Sequence, residues 1–430
     1  MKHLLALLMA LCIAALPCLC AGAETDAGAL RVIDGWLSAE EYQKAYPDRA
    51  IEKVDTNEET NGNRSRRELL FSGDWDAAYI CTDEDSLAEL EQAGLLLHLD
   101  AYENVAALAN DMYPTIRAAG TLNGKLAALP VCFIGSLASP VALLGAERYY
   151  DDFAKVHLQA LGMTADDQPT TFSELCALGV RYMEQSREAR KGTTFYYTEA
   201  SPMLCILNDL VRQYSMQYVD DERRVNFDTD VFRAALEQAD ALNAALQTDP
   251  TITYDADGSC HTFICSLSNS LISSGTYLQL RAGDKTIPAF TEMVIVNPNS
   301  KHINEAIDYL LIAARQSETQ FAPVLYQHVD YDALVRQSYD EDIAAQIEEG
   351  EDQSVIDNLV ALRDAGDPRY YLYTREEIER YQTEVAPYLV FPRAVYVGSD
   401  DASSKYLSGK LDADGYIAAL NDAAAQAREQ

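Results

Sequence analysis

Positive charge is scarce in this sequence: 33 Lys and Arg face 68 Asp and Glu, for a formal net charge of −35. A surface so acidic repels a phosphate backbone, which excludes nucleic acid as a partner and makes acidic solutes the poorest ligands. The excess carboxylates serve solubility and leave cationic ligands within reach. Histidine is rare, with six in 430 residues. His157, His261 and His302 are isolated from one another and offer no metal-ligand spacing, so no metal is expected. Also missing are HExxH, GxSxG and phosphate-loop motifs, and no catalytic residue is assigned. With 68 carboxylates a glycosidase-like pair could be drawn almost anywhere, so their abundance identifies none.

Long apolar runs are missing too, with one exception. Leu4 to Cys20 is continuously apolar, Lys2 and His3 precede it, and Ala21-Gly22-Ala23 follow. A basic start, an apolar middle and small residues at the end predict a signal peptide over residues 1–23. The rival readings are a retained membrane anchor, since about 20 residues just span a bilayer, and a lipid on Cys18 or Cys20, which Pro17 and Leu19 fit badly. Cleavage leaves 407 residues with a net charge of −36, because Lys2 goes with the leader. That length exceeds one hydrophobic core and suits two domains, exported to the cell envelope or beyond. Of nine cysteines six remain: Cys81, Cys132, Cys176, Cys205, Cys260 and Cys265. None forms a CxxC, so free and mostly buried thiols are expected, without a cofactor.

Local patterns place the elements. Leu30–Ile33 and 49–54 read as strands, and Ser38 with Glu41 reads as a capping box opening a helix that stops near Pro47. A helix ending at Gly73, the apolar strand Ala77–Cys81, and a helix from Ser86 closed by Gly94 alternate as in a parallel sheet. Asn123-Gly124 between short apolar runs is a hairpin signal, followed by a strand from Leu126 to Ile134. Residues 141–248 are mainly helical, with a capping box at Thr171 and Glu174. Strands are expected at 261–267 and 293–297, then a helix over 303–315 with Ile307, Leu310 and Ala314 on one stripe. Residues 320–430 read as helical and acidic, with a capping box at Thr374 and Glu377 and a last helix over 416–427. No flexible linker separates the β-α blocks, so the chain is expected to cross between domains more than once.

Six stretches in this order resemble the extracellular solute-binding family that includes the maltodextrin-binding proteins of bacterial ABC sugar importers. They are RELLFSGDWDAAYI from Arg67, GLLLHLDAY from Gly94, NGKLAALP from Asn123, PTTFSE from Pro169, VNFDTDVF from Val225, and PAF with IVNPNSKHINEAIDYLLIAA from Pro288. YLSGK from Tyr406 resembles the family's C-terminal signature, although Gly415 stands where a helix-favouring Glu is common. Phe172 replaces the family's usual Trp, and residues 24–66 match least. The resemblance implies an α/β, two-lobed periplasmic-binding-protein-like (type II) fold with a cleft between lobes. Lobe I would take residues 24–131 and 285–318, lobe II 132–284, and 319–430 would be mainly lobe II with the C-terminal helices. It further implies capture of a small solute, a carbohydrate foremost and a polyamine or peptide otherwise, closure by hinge bending, and delivery to a membrane permease. The alternatives from other classes are a secreted hydrolase and a ligand-sensing lobe that feeds a receptor.

Ligands of open α/β sheets bind at the carboxyl ends of strands. That selects Asp34 and Trp36 after the first strand, and Thr82 and Asp83 after the 77–81 strand. Sugars favour an aromatic face, so Trp36 is the candidate platform, against the plain reading of a packing residue. Asp83 could hold hydroxyls or an ammonium group, or simply cap the next helix. Tyr196, Tyr197 and Tyr277 are candidates for the opposite wall in the second lobe, with chance placement as the competitor because the chain has 26 Tyr. Trp75, on a turn before a strand, reads as structural.

Overall fold

The structure, a computed structural model, describes residues 28–33, 36–54, 56, 64–143, 159, 162–164, 167–196, 201–249, 256, 261–266, 271–272, 275–316, 322–350, 352–366 and 373–429. The expected leader at 1–23, Asp34, Tyr197, His157 and Cys260 lie outside the described residues, as do the side chains of Trp36, Cys132, His261 and Cys265.

The chain begins with strand β1 (Leu30–Ile33), helix α1 (Trp36–Ala45) and strand β2 (Ile51–Val54). The helix starts two residues before Ser38, so Ser38 is not its cap. Instead Ser38 is buried inside the helix and its hydroxyl bonds that of Tyr79 at 2.5 Å, tying α1 to the sheet. Helix α2 (Arg66–Ser72) opens on a capping box of Ser65 and Glu68 and closes on Gly73 at φ 70, a left-handed position that suits glycine. Strand β3 (Ala77–Cys81) follows, then α3 (Leu87–Gln92), α4 (Glu103–Asp111) and α5 (Pro114–Ala119). Asn123 and Gly124, at φ 52 and 78, turn β4 (Thr121–Leu122) into β5 (Lys125–Leu126). Two consecutive positive φ values are what such a two-residue hairpin demands.

Strand β6 (Leu129–Ser136) leads to β7 (Val141–Leu143). Next come α6 (Phe172–Glu184), β8 (Thr193–Tyr196), α7 (Pro202–Gln217), α8 (Asp230–Leu246) and β9 (His261–Ser266). Strand β10 (Ile287–Val296) and α9 (Ile303–Gln316) precede four helices: α10 (Ala322–Leu325), α11 (Tyr331–Glu349), α12 (Gln353–Ala365) and α13 (Arg375–Arg380). A π-helical turn at Tyr381–Val385 leads to β11 (Leu389–Val390), and α14 (Asp400–Leu407) and α15 (Ala413–Glu429) end the chain. The capping boxes at Thr171 with Glu174 and at Thr374 with Glu377 open α6 and α13 as their spacing predicts.

Two sheets organise this chain. In the first, the order is β2-β1-β3-β10-β6, with β1, β2 and β3 parallel and β10 antiparallel to both β3 and β6; β11 extends β10 at Ile287 and Pro288. Strand β3 and the end of β10 are apolar on both faces. Ala77, Tyr79, Val294 and Val296 pack into one core, while the alternating Ala78, Ile80, Met293 and Ile295 pack into another. Period-two alternation into two cores requires helices on both sides of the sheet. The second sheet, β7-β9-β8, lies in a separate core with Phe172, Leu207, Phe232 and, from the C-terminal helices, Tyr416 and Leu420. This is an α/β fold of two lobes, and the return strand β10, antiparallel between β3 and β6, gives it the type II strand order.

Among the described residues the chain passes between the cores at 137–140, within 277–286 and at 391–399. Leu137, Ala394 and Phe290, from or beside those passages, meet Met216 of α7 in a small apolar cluster of their own. The stretch 319–430, expected mainly in the second lobe, divides three ways. Helix α10, the π turn and β11 pack into the first core, and α14 and α15 into the second. Helices α11 and α12 form a hairpin around Tyr331, Leu334, Val335 and Tyr339, and α12 itself buries no residue fully.

Candidate functional site

Strand β3 brings Thr82 and Asp83 to the side of the first sheet where the chain passes between lobes. Thr82 is spent on the sheet: its Oγ1 accepts from Thr291 N at 2.9 Å and its N–H donates to Thr291 O at 3.2 Å. Asp83 is only 7% exposed. It is no helix cap, because Ser86 caps α3 by accepting from Glu89 N. Its carboxylate Oδ2 accepts from the Tyr396 hydroxyl at 2.7 Å, its carbonyl accepts from Ala394 N at 2.9 Å, and its Oδ1 is buried without a hydrogen-bond partner among the described residues. A buried carboxylate oxygen left so is a costly arrangement that a ligand hydroxyl or amine would relieve.

Tyr396 stands on the third passage between lobes and is 61% exposed. Among the described residues only its hydroxyl end is held. Burial of that end, then the Asp83 carboxylate, push its phenol above the usual tyrosine range. Burial and the same carboxylate raise the neighbouring Cys81 thiol, which is half-buried and free. An aromatic ring fixed at one end and open on its face, beside a carboxylate, suits C–H groups on the ring and hydroxyls on the oxygens.

The passage that carries Tyr396 is fastened by charge. Arg393 donates to Glu89 Oε1 at 2.9 Å and Arg67 to Glu89 Oε2 at 2.6 Å, and the Arg67 bond foremost holds the Glu89 carboxyl below its usual range. From the second lobe, Arg223 donates to Ala394 O at 3.1 Å.

The remaining expected positions scatter. Tyr196, at the carboxyl end of β8, is buried and donates to Asp209 Oδ2 at 2.9 Å; Asp209 Oδ1 accepts from Arg212 at 3.0 Å, and Arg212 also donates to Ser139 Oγ at 3.0 Å. Burial raises the Asp209 carboxyl, against the opposing pull of Arg212 and Tyr196. This network sits beside the first passage and offers no open ring. Tyr277 is buried in the first core, not the second. Trp36 lies at the start of α1, directly after the carboxyl end of β1, but its side chain is outside the description. Trp75 is structural: it is buried and its indole N–H donates to Leu70 O at 2.7 Å. Tyr396 and Arg223 escaped the sequence reading, since one tyrosine among 26 carries no signal of its own.

Among the described residues no group of three His, Cys, Asp or Glu could hold a metal ion, and no helix is long and apolar enough to cross a membrane.

No family profile matches the chain and no curated protein matches it. Solved structures do resemble it in shape. A cyclic α-maltosyl-1,6-maltose binding protein from Arthrobacter globiformis is 14% identical, with 94% of this chain and 100% of that one covered, at a TM-score of 0.49. A maltotriose binding protein of Thermus thermophilus bound with maltotriose is 14% identical over 93% and 99% of the two chains, at 0.46. An ABC transporter solute binding protein of Agrobacterium vitis S4 with bound D-mannitol is 12% identical over 93% and 98%, at 0.45. Likeness of this order is a matter of outline, and the functional reading rests on the chain's own residues.

Proposed function

We propose that this chain is a solute-binding protein that holds a small polyhydroxylated solute, a carbohydrate, between its two lobes. One observation carries the reading: the open ring of Tyr396, anchored through its hydroxyl to the buried Asp83 carboxylate, stands where the chain passes from one lobe to the other. A sugar would lay its C–H face on that ring and give a hydroxyl proton to Asp83. The passages between two separately cored lobes supply the hinge for closure over the solute. The activity is binding without turnover. A leader at residues 1–23 would export the chain, and an ABC importer's permease would receive the solute from the closed form.

A thermal-shift screen of neutral sugars and polyols, polyamines and short peptides tests this. A ligand at 100 times its dissociation constant adds about 2.7 kcal/mol to stability, so maltotriose, maltose or mannitol analogues should include hits. Hits confined to polyamines would transfer Asp83 and the net charge of −35 to cation capture and refute the carbohydrate reading. Turnover of a hit would refute binding as the whole activity. N-terminal sequencing of exported protein should begin near Glu24; a retained leader or a lipid on Cys18 or Cys20 would contradict that part.

A further inference from the structure

Residues 220–224 form a tight turn between α7 and α8. Asp220 Oδ1 accepts from the N–H groups of Glu222 at 2.9 Å and Arg224 at 2.8 Å, and Arg223 N donates to Asp220 O at 2.9 Å. The turn sets Arg223 at φ 58, in the left-handed region. Glycine suits such a backbone and a long side chain does not, so an arginine there points to a use for its guanidinium.

The turn belongs to the second lobe, whose core holds Phe227 and packs Tyr218 and Val225. The guanidinium leaves that lobe. It donates to Ala394 O at 3.1 Å, its Nε is buried without a hydrogen-bond partner among the described residues, and it stands in the field of Arg67, Glu89, Arg393 and Asp83 from the facing side. The Ala394 peptide is therefore held from both directions: its carbonyl by Arg223 and its N–H by Asp83 O at 2.9 Å. Two residues on, the Tyr396 hydroxyl completes the bond to Asp83.

We infer that Arg223 is a positioning residue of the Asp83–Tyr396 site: from the second lobe it clamps residues 393–396 onto Asp83, so the shape of the site depends on how the lobes sit. This rests on the reading of that site as the solute site. When the lobes move, the clamp moves the Tyr396 ring with them, and lobe position and solute affinity become linked.

The test uses the unliganded full chain and three variants. Arg223→Gly removes the guanidinium and fits φ 58, so the turn keeps its fold; Arg223→Ala removes it and keeps the backbone strain; Arg223→Lys keeps a cation and a donor. Hydrogen exchange is read by mass spectrometry. In Arg223→Gly and Arg223→Ala, exchange over 391–399 should rise about ten-fold, the size expected for one lost hydrogen bond from a charged donor. Exchange within helices α6, α7 and α8 should not change, and Arg223→Lys should restore most of the protection. Unchanged exchange over 391–399 in Arg223→Gly, or acceleration spread equally through both cores, would overturn the inference. The experiment contains no solute, so a screen without sugar hits would sink the carbohydrate reading while leaving this result to stand or fall by itself.

Discussion

Replacing Tyr396 by Phe tests the geometry at its centre. The change removes one oxygen and leaves the ring, so no cavity forms. What is lost is the 2.7 Å bond to Oδ2 of Asp83, a carboxylate only 7% exposed. A hydrogen bond to a charged group contributes about 1.5–3 kcal/mol. Because Tyr396 is 61% exposed, water replaces part of that bond, and the expected cost is about 1–2 kcal/mol. Urea unfolding should show a lower midpoint with an unchanged slope. The pH dependence adds a second check. The folded-state pKa of Tyr396 is raised above its ordinary 10.0, so its share of stability is fully present below pH 10 and is lost as pH rises further. The gap between the parent protein and Tyr396→Phe should be constant from about pH 7 to 9 and narrow above about 10. A variant as stable as the parent to within about 0.3 kcal/mol, or a gap that widens above pH 10, would refute the reasoning.

Glu174 takes bonds from Thr170 N and Oγ1 and from Thr171 N, and the Thr170 hydroxyl foremost keeps its carboxyl below the usual range. Glu174→Ala should cost about 1 kcal/mol at pH 7, and the cost should fade as pH falls below the ordinary value of 4.5, because a depressed carboxylate loses its contribution in acid; equal cost at pH 7 and pH 3 in urea melts would contradict this. In α6 a methyl group on Gly179 would meet the Leu242 side chain and lie 2.8 Å from the Phe195 ring, so Gly179→Ala should lower stability by about 1–3 kcal/mol, visible as a drop in melting temperature. Trp75→Phe leaves Leu70 O without its indole donor and should cost about 1–2 kcal/mol in thermal unfolding while leaving solute affinity unchanged; an altered affinity would place Trp75 at the site after all.

Much of the fold was legible because local chemistry and tertiary packing agree. The apolar runs of β1 and β3, the Asn123-Gly124 turn, the boxes at Thr171 and Thr374, and the stripe of α9 each needed only neighbours in sequence. Ser38 misled because its spacing to Glu41 mimics a cap, whereas its hydroxyl is taken by Tyr79, 41 positions away. Strand-end logic selected Asp83 for the proposed site, but no local rule could show that Tyr396, 313 positions later, donates to it. Thr82, chosen by the same logic, went to the β3–β10 ladder instead, and Tyr277 went to the first core, because long-range pairing decides which polar and aromatic groups remain free.

The most direct measurement is isothermal titration calorimetry of the best neutral sugar from the screen against the parent chain and Tyr396→Ala. Loss of an aromatic platform should weaken binding by about 1–3 kcal/mol, roughly 5- to 150-fold in dissociation constant, with the fold intact by circular dichroism. The same affinity in both proteins would place the solute elsewhere and contradict the account.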